Sequence, residues 1–257
     1  MAERPSGFTN SSKNFGSSNG LYPVMLTPAL LARRGTLVVG GGQVAERRVR
    51  TLLTVGARVR LIAAEICAGL KQLALESGGA LQLEERPWQP EDVTKEMLLV
   101  FAATDSREVN QRIAEVARSV GCLVNLSDDP AGCDFTVPST IYRDGITFAL
   151  ATGAYKAGGS PDSTEEEGAI PALTAHLRHR LQEAIGPEYD SLARLLRRFR
   201  PIVKARLPLE KRAAFWRMLV NTVTSEDSPL LLLLQSGCDV EAEALLRQLI
   251  EEELWKS

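Results

Sequence analysis

Thr36-Leu37-Val38-Val39-Gly40-Gly41-Gly42-Gln43-Val44-Ala45 is the stretch that decides the fold. Thr36 to Val39 is a short apolar run rich in β-branched side chains, the composition of a buried strand. Gly40 to Ala45 then fits G-x-G-x-x-A. Behind it, Val44, Ala45, Val49, Leu52 and Leu53 recur at helical spacing until Gly56 closes the segment. In a strand, glycine turn and helix in this order, glycines permit the tight turn and let backbone N–H groups approach a pyrophosphate. The helix N-terminus adds its partial positive charge. Gly40, Gly41 and Gly42 are therefore candidate cofactor-binding positions; the alternative is a tight turn that binds nothing.

Working outward, the same rhythm continues. Arg58 to Ala63 is expected as a second strand, and Glu65 to Ser77 as a helix ended by Gly78-Gly79. Leu81 to Glu85 and Leu98 to Ala102 are expected strands, Arg107 to Ser119 a helix, and Cys122 to Leu126 a fifth strand. Strands alternating with helices predict a Rossmann-like α/β fold with a doubly wound parallel sheet over 21–130. Residues 1–20 are rich in Ser, Asn and Gly and read as a disordered leader. Leu21 to Leu31, with Pro23 and Pro28, reads as an irregular packed segment.

The pattern changes after 130. Asp134 to Tyr142 and Gly145 to Thr152 are β-rich runs joined by Arg143-Asp144-Gly145, a hairpin signal. Region 131–153 is thus expected as a small β-hairpin, 154–169 as an acidic and Gly-rich loop, and 170–257 as a helical domain. Breaks are expected at Gly186-Pro187, Pro201, Pro208 and 225–229, with a last helix from about Val240 to Trp255.

The 257 residues carry 30 Lys and Arg against 32 Asp and Glu, a net charge of −2. The balance is uneven: from Thr174 to Arg217 the cations outnumber the acids by about seven. Such a block suits an anionic partner, or is simply a set of solvated helix faces. Phe199, Phe215 and Trp216 are its few aromatics, a poor match to nucleic-acid binding. No apolar run, the leucines Leu230 to Leu234 included, is nearly long enough for a membrane span. Four scattered cysteines without C-x-x-C read as reduced thiols of a cytoplasmic protein, and two histidines, His176 and His179, give little basis for a metal site.

At the ends of strands, where such sheets bind ligands, stand Ala64-Glu65 and Thr104-Asp105. Glu65 is placed to reach a ribose hydroxyl or to cap the next helix, and the choice between NAD and NADP stays open there. Asp105-x-x-Glu108 also fits a capping box. Asp128-Asp129-Pro130 follows the fifth strand, beside the expected cleft. A carboxylate there can accept a proton, or the segment is only a turn.

GGGQVAERR, FAATDSREVNQ and VNLSDDPAGCDFTVPS, in this order and spacing, resemble the precorrin-2 dehydrogenase and sirohydrochlorin ferrochelatase family, the N-terminal part of siroheme synthase. The resemblance implies oxidation of precorrin-2 to sirohydrochlorin with NAD, in a homodimer, with 131–153 as the dimerisation region and 170–257 as the substrate-binding domain. Some members also insert ferrous iron, and whether this chain does is left open. The resemblance further implies that Gln43 and Val44 meet the cofactor, that Ala64 and Glu65 line its adenosine side, and that Asp128 carries the chemistry, with Asp129 as substitute. Thr152 falls where some relatives place a serine against the tetrapyrrole. The basic block, with Arg178 and Arg180 among its candidates, would meet the polycarboxylate substrate. The acidic insert between Ser160-Pro161 and Pro171-Ala172 departs from the family pattern, and its role is open. The chain length leaves no room for the methyltransferase domain of larger members. A competing function is an NAD(H)-sensing regulatory module without catalysis, which would need neither Asp128 nor a basic helical domain.

Overall fold

The computed structural model describes residues 24–143, 145–152, 170–225 and 227–256. They fall into two compact units, one running to Val137, the other holding 138–152 and the helices from 170 on.

In the first unit, β1 (Gly35–Val39), β2 (Val59–Ala63), β3 (Leu81–Glu85), β4 (Met97–Ala102) and β5 (Leu123–Leu126) form one parallel sheet in the order β3-β2-β1-β4-β5. Alternate side chains of β1 enter different cores, as the two-residue strand period requires. Val38 joins Leu61 and Phe101 in the core under α2 (Gln43–Thr54) and α3 (Ala68–Glu76). Leu37 and Val39 join Ile62, Val100 and Val124 in the core under α4 (Arg107–Ser119). Both faces of the sheet centre are covered, so β1 and β4 are almost wholly apolar, while the edge strand β3 keeps Gln82, Glu84 and Glu85, and the sheet is doubly wound. The order reverses between β1 and β4, and a crevice opens beyond their carboxyl ends.

Three expectations for this unit are corrected. Pro28 does not interrupt the chain; it starts α1 (Pro28–Arg33), with Thr27 as N-cap accepting a hydrogen bond from the Leu30 N–H. Proline suits the first helical turn because its missing N–H has no partner there. Helix α3 starts at Ala68, not Glu65, because Ile66 is buried and the Cys67 N–H bonds the Gly41 carbonyl. Those contacts hold the chain extended across the glycine turn. Asp134 to Pro138 is not a strand. The Asp134 N–H bonds the Val124 carbonyl, its carboxylate accepts the Val124 N–H, and Phe135 packs edge-on against Phe101. One backbone bond and these side-chain contacts fasten it to the sheet edge without a strand ladder.

In the second unit, β6 (Ser139–Arg143) and β7 (Ile146–Leu150) form an antiparallel hairpin. Gly145 has φ +96°, the left-handed geometry the sequence anticipated; Asp144 lies outside the described residues. Helices α5 (Pro171–Ala184), α6 (Glu188–Arg206), α7 (Leu209–Val223), α8 (Pro229–Gln235) and α9 (Asp239–Lys256) follow. Leu192, Phe199, Val203, Leu219, Leu230, Leu246 and Ile250 form the core of α6 to α9. The expected break at Pro201 does not occur. Pro201 is on the exposed face of α6, and the buried Phe199 and Val203 on either side keep the helix continuous through the residue that lacks an N–H. The leader and the 154–169 loop lie outside the described residues.

Candidate functional site

The glycine turn is shaped by close backbone approach. Gly40 has φ +124°, and a Cβ there would overlap the Ala103 carbonyl. A Cβ on Gly41 would overlap the Glu65 carbonyl. Both positions need glycine for the fold itself. Gly42 differs: it has φ −90° and open space around its missing side chain. It is the N-cap of α2, with no side-chain cap bond on the first-turn N–H groups. The protein leaves a free space against a helix N-terminus, the form of a phosphate cradle.

That cradle is one wall of a cleft of about 1050 Å³ at the carboxyl edge of the sheet. Gly40, Gly41, Gly42, Ala64, Glu65, Thr104 and Asp105 all line it, so the structure brings together seven of the expected cofactor positions. Gln43 and Val44 stand on the exposed first turn of α2 and do not line it. Glu65 is not a helix cap, since α3 starts later, and its side chain is exposed on the cleft wall. Asp105 does not cap α4: Ser106 does, accepting from the Val109 N–H at 3.3 Å.

Sequence reasoning missed the opposite wall. Pro87 and Trp88 line the cleft from the loop after β3. That loop is fastened by ion pairs: Arg60 binds Glu84 and Asp92, and Arg86 binds the same two carboxylates. The Arg86 guanidinium holds the buried Asp92 carboxyl down at about 2. The charges themselves, Arg60 on β2 and Glu84 and Arg86 at the end of β3, were the only signal in the sequence.

Asp128 follows β5, is exposed, and does not line the cleft directly. Its Oδ1 accepts a 3.0 Å hydrogen bond from Asn110 Nδ2. The same amide bonds Thr104 on the cleft wall: its Nδ2 donates to the Thr104 carbonyl at 3.1 Å, and its Oδ1 accepts from the Thr104 N–H and hydroxyl at 3.1 and 2.7 Å. Asp129 is the turn residue of the pair. Its carboxylate accepts from the Gly132 N–H and from Gln111 Nε2, and it caps the short turn Pro130–Gly132.

Thr152, Arg178 and Arg180 belong to the second unit. The Thr152 hydroxyl meets the Thr174 hydroxyl at 2.5 Å and accepts the Ile170 N–H at 3.0 Å, joining the end of the hairpin to the start of α5. Arg178 and Arg180 are exposed on α5, and Arg180 lies 3.6 Å from Glu183. Of the other cations, Arg198 pairs with Glu243 and Arg206 with Glu251 across the helical bundle, a solvated structural use of part of the basic block. His179 lies 3.3 Å from Glu183. Among the described residues no helix is long and apolar enough to cross a membrane.

Comparison with known proteins places these units. Residues 30–139 match the family described as "Putative NAD(P)-binding", and residues 188–250 match the sirohaem synthase dimerisation region. The chain is 34% identical to the siroheme synthase of Nitrosospira multiformis over 86% of its own length and 43% of that protein's. It is 34% identical to that of Pseudomonas aeruginosa over 85% and 42%. It thus spans about two fifths of the curated relatives it matches. Among solved structures, SirC, a precorrin-2 dehydrogenase, superimposes with a TM-score of 0.57 at 22% identity, covering 90% of this chain and 100% of that one, which shows the shared fold. With a NAD(P)-binding type of domain ahead of a sirohaem synthase dimerisation region, the chain belongs to the siroheme synthase family over the part of those proteins that it matches.

Proposed function

We propose that the chain is an oxidoreductase that converts precorrin-2 to sirohydrochlorin with NAD. The observation that carries this reading is the pairing of a glycine cradle with a separate carboxylate at the same sheet edge. Asp128 is tied through Asn110 to the cleft wall at Thr104. A dinucleotide would lie against Gly40, Gly41 and Gly42, with Glu65 and Ala64 on its adenosine side and Thr104 and Asp105 on the β4 side. Bound NAD would supply the hydride acceptor. Asp128 would take the proton that leaves the substrate, since one oxygen is held by Asn110 and the carboxylate is open to solvent. Asp129, with its carboxylate committed to the turn, is a poor substitute.

Two features favour NAD over NADP. Arg60, the strand cation nearest in sequence to the β2 end, is held by Glu84 and Asp92. Arg58 precedes β2, at the edge opposite the cleft. What stands at the cleft is the Glu65 carboxylate, which would repel a 2′-phosphate and can accept a ribose hydroxyl.

A homodimer completes the reading. The two-stranded hairpin is too small to be stable unsupported. Helix α5 buries only Thr174 and leaves Leu173 and Leu177 exposed, as is Ile170 at its N-cap and Tyr142 on the hairpin. A 14-residue helix with one buried side chain needs a further surface to cover it. Thr152, Arg178 and Arg180 would serve the polycarboxylate substrate. Ferrous iron, if inserted, would be a second substrate using the same Asp128. Mixing the protein with precorrin-2 and NAD and following sirohydrochlorin absorbance tests the reading. An NAD-binding protein that leaves precorrin-2 unchanged would favour the sensing module instead.

A further inference from the structure

Asn110 is a polar side chain where the pattern calls for an apolar one. The sheet-facing stripe of α4 is Asn110, Ile113, Ala114 and Ala117, all buried, and Asn110 is fully so. A buried amide needs its hydrogen-bonding capacity met. The amide oxygen accepts twice, from the Thr104 N–H and hydroxyl, and the nitrogen donates twice, to the Thr104 carbonyl and to Asp128 Oδ1. These four bonds exhaust what an amide can make. They also set its orientation, because turning it over would face its NH₂ to the Thr104 N–H.

We infer that Asn110 is a positioning residue that holds the Asp128 carboxylate in register with the Thr104 wall of the cofactor cleft. This rests on the proposed role of Asp128. Helix α4, which carries the buried Asn110, is anchored through Ile113, Ala114 and Ala117 in the core beneath the sheet. Its amide is therefore fixed to the same rigid unit as β4. Asp128 is an exposed side chain on a connecting segment, free to rotate without this bond. With Oδ1 held, the carboxylate keeps one direction relative to the cleft. Shifts of about 1 Å in such a group reduce rates by as much as ~10²-fold. Serine could not span both partners with four bonds, and leucine would leave the Thr104 N–H and carbonyl bare.

The test is Asn110→Asp, with Asn110→Ala alongside. Asn110→Asp keeps an acceptor for the Thr104 N–H and hydroxyl but puts an oxygen in place of the nitrogen that donates to Asp128 and to the Thr104 carbonyl. It remains decisive if Asn110→Ala does not fold. The readouts are NAD affinity by calorimetry and kcat for precorrin-2 at saturating NAD. The expected result is a fall in kcat of roughly 10- to 100-fold with NAD affinity within about twofold of wild type. A merely structural amide would show the reverse, weaker NAD binding with kcat recovered at saturation, and that result would overturn the inference. So would a wild-type kcat. An inactive wild-type protein, or a fully active Asp128→Ala, would instead overturn the role of Asp128 and this inference with it.

Discussion

Replacing Gly42 by aspartate separates folding from binding more cleanly than any other change in the glycine turn. A Cβ at Gly42 meets no protein atom within 4 Å, and the residue already has the extended geometry of an N-cap. Aspartate is a preferred N-cap and aspartate for glycine changes stability by only about a few tenths of a kcal/mol, in the favourable direction. Its carboxylate would accept from the same first-turn N–H groups that a pyrophosphate needs. It would also place a negative charge against the phosphates. At ~4 Å that repulsion is about 1 kcal/mol in water and about 4 kcal/mol at an effective dielectric constant near 20. The open cleft lies between those limits. NAD affinity should therefore fall by roughly 5- to 1000-fold, before any steric loss. Calorimetric titration with NAD and a thermal melt on the same sample read the two effects. The expected pair is an unchanged or slightly raised Tm with weakened binding. Unchanged affinity would refute the assignment of the turn as the phosphate cradle. A lowered Tm would refute the open space at Gly42. Gly41→Ala is the contrast, since its Cβ would overlap the Glu65 carbonyl and should destabilise the fold itself.

Other expectations follow from the same structure. Asp128→Ala should retain NAD binding and lower precorrin-2 oxidation by ~10²-fold or more, read by calorimetry and initial rates; equal rates would move the chemistry elsewhere. Light scattering at micromolar protein should give a dimer mass, and charged substitutions at Leu173 and Leu177 should give a monomer; an unaffected dimer would place the contact on another surface. The ion network behind Trp88 should contribute pH-dependent stability. The folded Asp92 carboxyl, at about 2, lies below its ordinary 3.8, so its contribution of about 2 kcal/mol is present above pH ~4 and is lost as pH falls toward 2. Urea melts of wild type and Asp92→Asn should differ at pH 7 and converge near pH 2.

Much of the first unit was legible because its strands are short, apolar and punctuated by glycine. The start of α4, the run of β3 and the direction of the sheet needed nothing beyond local pattern. What was not legible depended on long-range contacts. The start of α3 is set by a bond from Cys67 to Gly41, residues far apart in sequence. Asp134 to Pro138 alternates like a strand but is tied to β5 by a few bonds at Asp134 and by the Asn125 side chain on the Phe135 carbonyl. Pro201 is tolerated in α6 only because the bundle buries its neighbours. In the site, the glycine turn carried its own signature, whereas Trp88 reached the cleft through ion pairs no motif describes. Without the family resemblance Asp128 and Asp129 look equivalent in sequence; the Asn110 bond of Asp128 and the turn bonds of Asp129 tell them apart. Asn110 was visible in principle, as an amide on the apolar stripe of α4.

The most direct test of the account is a single reaction: purified protein, precorrin-2 and NAD under anaerobic conditions, with NADH and sirohydrochlorin followed together. The account expects the two to appear in equal amounts, to depend on NAD far more than on NADP, and to need more NAD with Gly42→Asp. NAD binding without NADH formation would contradict it and would leave the cleft as a sensing site.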